Sequence, residues 1–299
     1  MSESTMTRAA RAGTARSAVR SSRATGRRTF AVGSEVLLLV VTLLFLFPII
    51  FTITSSLKPN GEIFQSPPSL FGSELRWQNY VDVFTAAPFM KYILNGLMVS
   101  VLGTIIVLVV SSLAAYSFGI LRWRGRDQTM LAYLATMMIP QEVLVIPMFL
   151  LMQKLGWINT WQALILPWAF GAFGTFLLRQ FFTTLPYELV EASRMDGCSN
   201  WRTFWKIILP LAKPSLAVLA VWTFITYWNS FLWPLIAVND VRELGTVPLG
   251  LSTFVGEHGA AWNLIIAASV ISIAPTMLVV ILLQKHLVKG IATVGLAGR

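Results

Sequence analysis

Six apolar stretches, at 36–57, 92–121, 129–155, 160–182, 215–238 and 262–287, divide the chain into oily and polar segments. Each comes close to or exceeds the roughly 20 residues a helix needs to cross a bilayer. A lone strand would leave its amides unpaired in hydrocarbon, so each predicts a membrane-spanning helix. The polar segments between them differ in kind. Residues 1–30 hold Ser, Arg, Ala, Thr and Gly with no apolar run, which predicts a disordered basic tail. Residues 31–299 are then one six-span domain. The segment 58–91 is long, and in Trp77-Gln78-Asn79-Tyr80-Val81-Asp82-Val83-Phe84 its apolar residues recur at helical spacing, as in a short helix lying in the interface. The segment 183–214 is the most polar island between two spans.

Composition agrees with this pattern. Apolar residues make up 56% of the 299 and charged residues 12%, about half the usual charged share of soluble chains. So few charges cannot cover a soluble surface, and lipid must be part of the solvent. The net charge of +10 raises the question of nucleic acid, but the cations flank the spans. With the N-terminus inside, the inner segments carry 18 Lys and Arg and the outer ones five: Lys58, Arg76, Lys91, Lys154 and Arg242. This asymmetry predicts both termini in the cytoplasm of a multi-pass protein and no nucleic-acid partner. The basic start superficially resembles a transit or twin-arginine signal. The first apolar run is too long for a signal sequence and lacks a small-residue cleavage site, which favours a cytoplasmic tail. The single cysteine, Cys198, allows no internal disulfide.

Polar residues within the spans are candidates for function. Met138-Ile139-Pro140-Gln141-Glu142 runs on to Ile146-Pro147, so two prolines bend or break the third span around its one carboxylate. A buried Glu142 is costly unless paired or watered; it lines a pathway or gate, or ties helices together. The fifth span carries Trp222, Tyr227-Trp228-Asn229-Ser230-Phe231 and Trp233-Pro234. Trp228 and Asn229 suit a sugar path, aromatic face and amide together, or equally helix packing.

In the polar island, Pro186 opens a helix. Glu188 and Glu191 stand in its first turns, where the helix dipole favours acids, with Arg194 on the same face. Gly197 breaks it, and a second helix, 200–208, returns until Pro210 and Pro214 end it. The series Glu191-Ala192-Ser193, then Gly197, then Ile207-Ile208-Leu209-Pro210 resembles the signature of membrane subunits of bacterial ATP-binding-cassette importers, with Ser193 in place of a second alanine. The flanks are similar to the second permease of the carbohydrate importers, the maltose-permease-like group. These flanks are the Trp77-to-Tyr80 segment, the two Ile-Pro pairs followed by Gly156 and Asn159-Thr160, the Trp228-Asn229 pair and Thr246-Val247-Pro248-Leu249-Gly250.

The resemblance implies an all-α, type I importer permease fold in the bacterial inner membrane, with a cytoplasmic coupling helix at 183–214. By it, Glu188, Glu191, Ala192, Ser193, Asp196, Gly197, Ile207, Leu209 and Pro210 couple the spans to an ATPase. The translocation pathway holds Glu142, Trp228 and Asn229. Partners are a second, homologous permease, two ABC ATPase subunits that use ATP and magnesium, and an external solute-binding protein near the Trp77 segment. The Gly-rich end, Lys289-Gly290-Ile291-Ala292-Thr293, also reaches the ATPases.

The chain itself has no Gly-x4-Gly-Lys-Ser/Thr phosphate loop, so hydrolysis belongs to another subunit. His258 and His286 lie apart with no Cys beside them, which predicts no metal site. No nucleophile and base are spaced for hydrolysis, so no catalytic residue is expected. The rival readings are an ion- or proton-coupled secondary transporter, which needs more membrane-embedded coupling groups than Glu142, and a passive membrane scaffold.

Overall fold

The computed structural model describes residues 34–256 and 259–296, with side chains as far as Lys285. The expected basic tail, His258 and the side chains of the Gly-rich end lie outside the described residues. Three helices are long and apolar enough to cross a membrane unbroken, and three further pairs qualify if each bent pair counts as one span.

The first, α1, is Ser34–Ser55, and none of its apolar window is buried by the other described residues. The following loop folds back on the end of α1. Glu62 accepts hydrogen bonds from the Ser73 hydroxyl and backbone N–H, and these hold its carboxyl below the usual range. The buried Lys58 donates to Ser69 O at 2.5 Å. The predicted interfacial helix forms as α2, Gln78–Ala86. Asn79 lies buried at its start and donates to Ser56 O and Lys58 O at 2.8 and 3.0 Å.

The second span, α3, is Phe89–Gly119. The third is two helices, α4 (Arg126–Met138) and α5 (Gln141–Lys154), meeting at 96°. The break falls at Ile139-Pro140, both extended, because the residue before a proline is driven from the helical region. Pro147 lies inside α5 and does not end it. The fourth span is likewise divided, into α6 (Trp161–Trp168) and α7 (Ala172–Phe182), bent by 46°. Pro167 stands in a tight last turn and Gly171 is extended.

Two short helices follow, α8 (Glu188–Met195) and α9 (Asn200–Leu211). The expectation that Pro210 ends the second of them is corrected. Residues Phe204–Ile208 widen into one π turn in which Leu209 N–H reaches Phe204 O. That wider turn accommodates a proline with no N–H to give. Pro214 likewise begins the next helix instead of ending the last one.

That helix, α10, is Lys213–Trp228, at 77° to α9. It stops at Asn229 and resumes as α11, Leu232–Ala237, so the fifth span is shorter than its apolar stretch. Two short helices, α12 (Val241–Leu244) and α13 (Val247–Ser252), lead to a two-residue ribbon, β1 (Val255–Gly256) paired with β2 (Gly259–Ala260). The last span, α14, is Trp262–Leu296 and carries Pro275 within it.

The core is built around α3. Its buried stripe of small residues, including Gly96, Ser100, Gly103, Ser111 and Ala115, lets α7 and α10 approach closely, as membrane helices do where lipid gives no hydrophobic drive. Leu178 and Phe182 of α7 and Leu219 and Tyr227 of α10 complete the largest cluster. At Gly103 a Cβ would lie 2.6 Å from the Tyr227 ring, whose hydroxyl donates to Ile165 O at 2.8 Å. Gly103→Leu is therefore expected to cost about 1–3 kcal/mol of packing and to lower the melting temperature of the detergent-purified protein. An unchanged melting temperature would mean that α3 and α10 do not pack this closely.

Candidate functional site

The breaks in the third, fourth and fifth spans face one another. Gln141 and Glu142 after the first break, Trp168 and Gly171 at the second, and Ser230 and Phe231 at the third all line one cavity of about 340 Å³. Non-helical backbone inside a membrane protein is tolerated where it meets protein or a watered cavity. Trp222, Thr223 and Thr226 of α10 complete the wall, with Phe173 of α7. Trp222 is 60% exposed, its ring 5.5 Å from that of Phe173.

Glu142 is the only charged residue in the lining. It is exposed, in the first turn of α5, and joins no ion pair among the described residues. Within the described residues its carboxyl group thus borders the cavity and is not paired with a cation of another helix. The neighbouring polar groups are tied back into the wall: Tyr227 to Ile165 O, and Trp233 Nε1–H to Ala163 O at 2.7 Å.

Trp228 and Asn229 are not brought to this cavity. They border a different one, of about 400 Å³, with Pro248, Ser269 and Thr276. Trp228 is 2% exposed, stacked on Phe224 at 6.0 Å and donating its indole N–H to Ser272 O at 3.1 Å. Its ring has no free face. Asn229 is exposed and forms the C-cap of α10. Trp222, Thr226 and Ser230 went unselected in the sequence, although they recur at i, i+4 and i+8 along an apolar span. Phe173 gave no signal, being one apolar residue among many.

At the other end of α10 lies the polar island. Helix α8 closes in a double turn. Cys198 N–H reaches Ser193 O at 2.9 Å, Gly197 N–H reaches Arg194 O at 3.0 Å, and Gly197 stands at φ +74°. This left-handed cap favours a residue without Cβ. Inward-facing Val190 and Ser193 are buried, at i and i+3, while Glu188, Glu191, Ala192, Asp196 and Gly197 are exposed. Met195 is 85% exposed. Arg194 does not pair with Glu191; its nearest bond is to the Tyr187 hydroxyl at 3.4 Å.

The Ser193 hydroxyl meets that of Thr203 at 2.9 Å and so joins α8 to α9. Phe204 and Ile208 of α9 are buried, Ile207 and Leu209 half-buried, and Pro210 is exposed. The Tyr116 hydroxyl at the end of α3 donates to Asn200 O at 3.1 Å, its ring 5.2 Å from Phe204. The Arg122 guanidinium lies 4.3 Å over the Tyr187 ring. Buried Ala212 then turns the chain into α10. Helix α8 is thus joined through α9 to the helix that lines the cavity. Thr203, Tyr187 and Arg122 in this chain of contacts were not distinguished in the sequence, where nothing ties them to α8.

These features belong together in one class. The family model described as binding-protein-dependent transport system inner membrane component matches residues 108–293, and the chain belongs to this family. It is the membrane-spanning permease subunit of an ATP-driven importer, a transport subunit whose ATPase resides in separate subunits. This decides against the ion-coupled and scaffold readings.

The arabinooligosaccharides transport system permease protein of Halalkalibacterium halodurans is 33% identical over 261 residues, 86% of this chain and 93% of that protein. The sn-glycerol-3-phosphate transport system permease protein of Pectobacterium atrosepticum is 36% identical over 273 residues, 89% of this chain and 97% of that protein. A chain from the crystal structure of a bacterial ABC transporter involved in the import of the acidic polysaccharide alginate superposes with a TM-score of 0.75. It is 26% identical, with 87% of this chain and 97% of that one covered.

Gly197→Ala places a Cβ in the left-handed region at a cost of about 1–2 kcal/mol. Amides of α8 are expected to exchange hydrogen roughly tenfold faster in the purified complex. Unchanged exchange would show that the cap does not hold the helix.

Proposed function

We propose that this chain forms one half of a translocation pathway for a sugar or sugar-like solute. It pairs with a similar but non-identical permease, rests on two ABC ATPase subunits that consume ATP and magnesium, and receives cargo from an external binding protein. Both termini lie in the cytoplasm, in keeping with the 18-to-five distribution of cations, and α8 faces the ATPase. Three polyhydroxylated cargoes appear in the names of the related proteins and of the alginate transporter, which supports the solute class.

The observation that carries this reading is α8 itself. Three exposed carboxylates, Glu188, Glu191 and Asp196, stand on a capped helix whose other side is joined to the cavity-lining helix. Glu188 and Glu191 meet polar or basic groups of the ATPase. Ala192 and Gly197 allow close approach, Ser193 fixes α8 to α9, and Ile207, Leu209 and Pro210 carry the motion to α10. Closure of the ATPases on ATP then shifts α10 and opens the cavity to alternate sides. Trp222 and Phe173 present ring faces to the sugar, while Glu142 and Thr226 meet its hydroxyls. Trp228 packs the end of α10 and sets Asn229 at the border of the pathway.

Tagging the chain and identifying what co-purifies from membranes in mild detergent tests the assembly. A second permease, an ATPase and a solute-binding protein are expected, and thermal shifts of that binding protein against a sugar panel name the cargo. Recovery of the chain alone from a complex shown to survive extraction rejects the proposal.

In the assembled complex, Glu191→Ala is expected to lower transport at least tenfold while leaving the subunits together. Full transport by both Glu191→Ala and Gly197→Pro would sink the coupling role. Glu142→Gln is expected to slow transport without loss of assembly; if neither changes, Glu142 has no place in the pathway.

A further inference from the structure

Residues 120–125 join α3 to α4, and within five residues this turn carries Arg122, Arg124 and Arg126. Arg179 of α7 comes up beside them. Among the described residues, one carboxylate answers the four guanidinium groups. Asp127 accepts from Arg126 Nε at 3.1 Å and lies 3.6 Å from Arg179. Four guanidinium groups thus stand against one carboxylate, and Arg122 and Arg126 border an open cavity of about 270 Å³ together with Trp123 and Asp127 itself. Arg126 also donates to Leu121 O at 3.4 Å and Arg179 to Phe118 O at 3.1 Å. Arg122 commits one face to the Tyr187 ring and, among the described residues, makes no hydrogen bond with its edge. Arg124 is exposed and makes no hydrogen bond or ion pair among the described residues. Like charges on alternate residues of one short turn repel one another unless an anion joins them.

The place of the turn says which anion. Six residues between two apolar helices cannot leave the membrane surface. Trp123 is 40% exposed and donates its indole N–H to Ser117 O at 3.2 Å. An aromatic with one wet edge belongs at the level of the lipid headgroups. Guanidinium groups match phosphate oxygens in paired hydrogen bonds, and basic pockets between membrane helices hold anionic headgroups.

We propose that this turn binds the phosphodiester headgroup of an anionic lipid. Through Arg122 the bound headgroup braces Tyr187, the residue just before α8, so the lipid steadies the base of that helix. The alternative for these arginines is that they only orient the spans, which requires no bound lipid.

The test uses the assembled importer in mild detergent, with native mass spectrometry during titration of phosphatidylglycerol or phosphatidylcholine. Wild type is expected to retain phosphatidylglycerol that phosphatidylcholine does not replace. Arg124→Gln removes a charge and no internal contact, and it is expected to weaken that retention about fivefold, the effect of one cation near an anionic surface. Lys206→Gln, a charge removed from α9, leaves it unchanged. Equal retention of the two lipids by wild type overturns the proposal without recourse to any variant. So does unchanged retention in Arg124→Gln. Displacement of phosphatidylglycerol by excess inorganic phosphate would also overturn it, showing a site for a soluble anion.

Discussion

In hydrocarbon each backbone amide must find its partner within the chain, because water is not there to take its place. That constraint makes an interruption in a spanning helix expensive, and this protein interrupts three of its six apolar stretches. The breaks at Ile139-Pro140, around Gly171 and at Asn229 to Phe231 border the same cavity or stand beside it. Freed backbone is gathered where protein and water can answer it. The lone carboxylate of the cavity wall follows the same rule, since Glu142 is placed by the first break and faces the opening.

The unbroken helices have the opposite task. Small residues along α3 let Tyr227 and Leu219 come close on one side and Leu178 and Phe182 on the other, which makes a stiff centre. The α8–α9 pair is packed onto it through Val190, Phe204 and Ile208, and a few directional contacts fix its orientation: one hydroxyl pair, one tyrosine to a backbone carbonyl, one guanidinium over a ring. One continuous apolar cluster therefore runs from the centre of α3 to the α8–α9 pair. The bend of 77° at Ala212 sets the pair across the end of α10.

Much of this was legible in the residues, and the reasons are local. Apolar length marked the spans, proline chemistry marked the break before Gln141, and the spacing from Glu191 to Pro210 marked the polar helix α8 with its glycine turn. What was hidden depends on neighbours distant in sequence. Trp228 looks the same in sequence whether it lines a wall or fills a core, and it is buried because Gly96 leaves room for its ring. Pro210 reads as a terminator until the π turn ahead of it is seen. The ends of α6 and α10 fall inside continuous apolar runs, so hydropathy carries straight across them. Bend angles are set by packing between helices, which no single stretch encodes.

Asn79 gathers the ends of two long helices. Its side chain donates to the backbone after α1 and accepts from Asn263 at the start of α14, at 3.0 Å. The first span is therefore clamped at one tip, and none of its apolar window is buried by the other described residues. It behaves as a mast stepped at its foot with no stays. Its lean is a property of the lipid and the neighbouring subunits, and two importers with identical copies of this protein would carry the span at different angles if those surroundings differed.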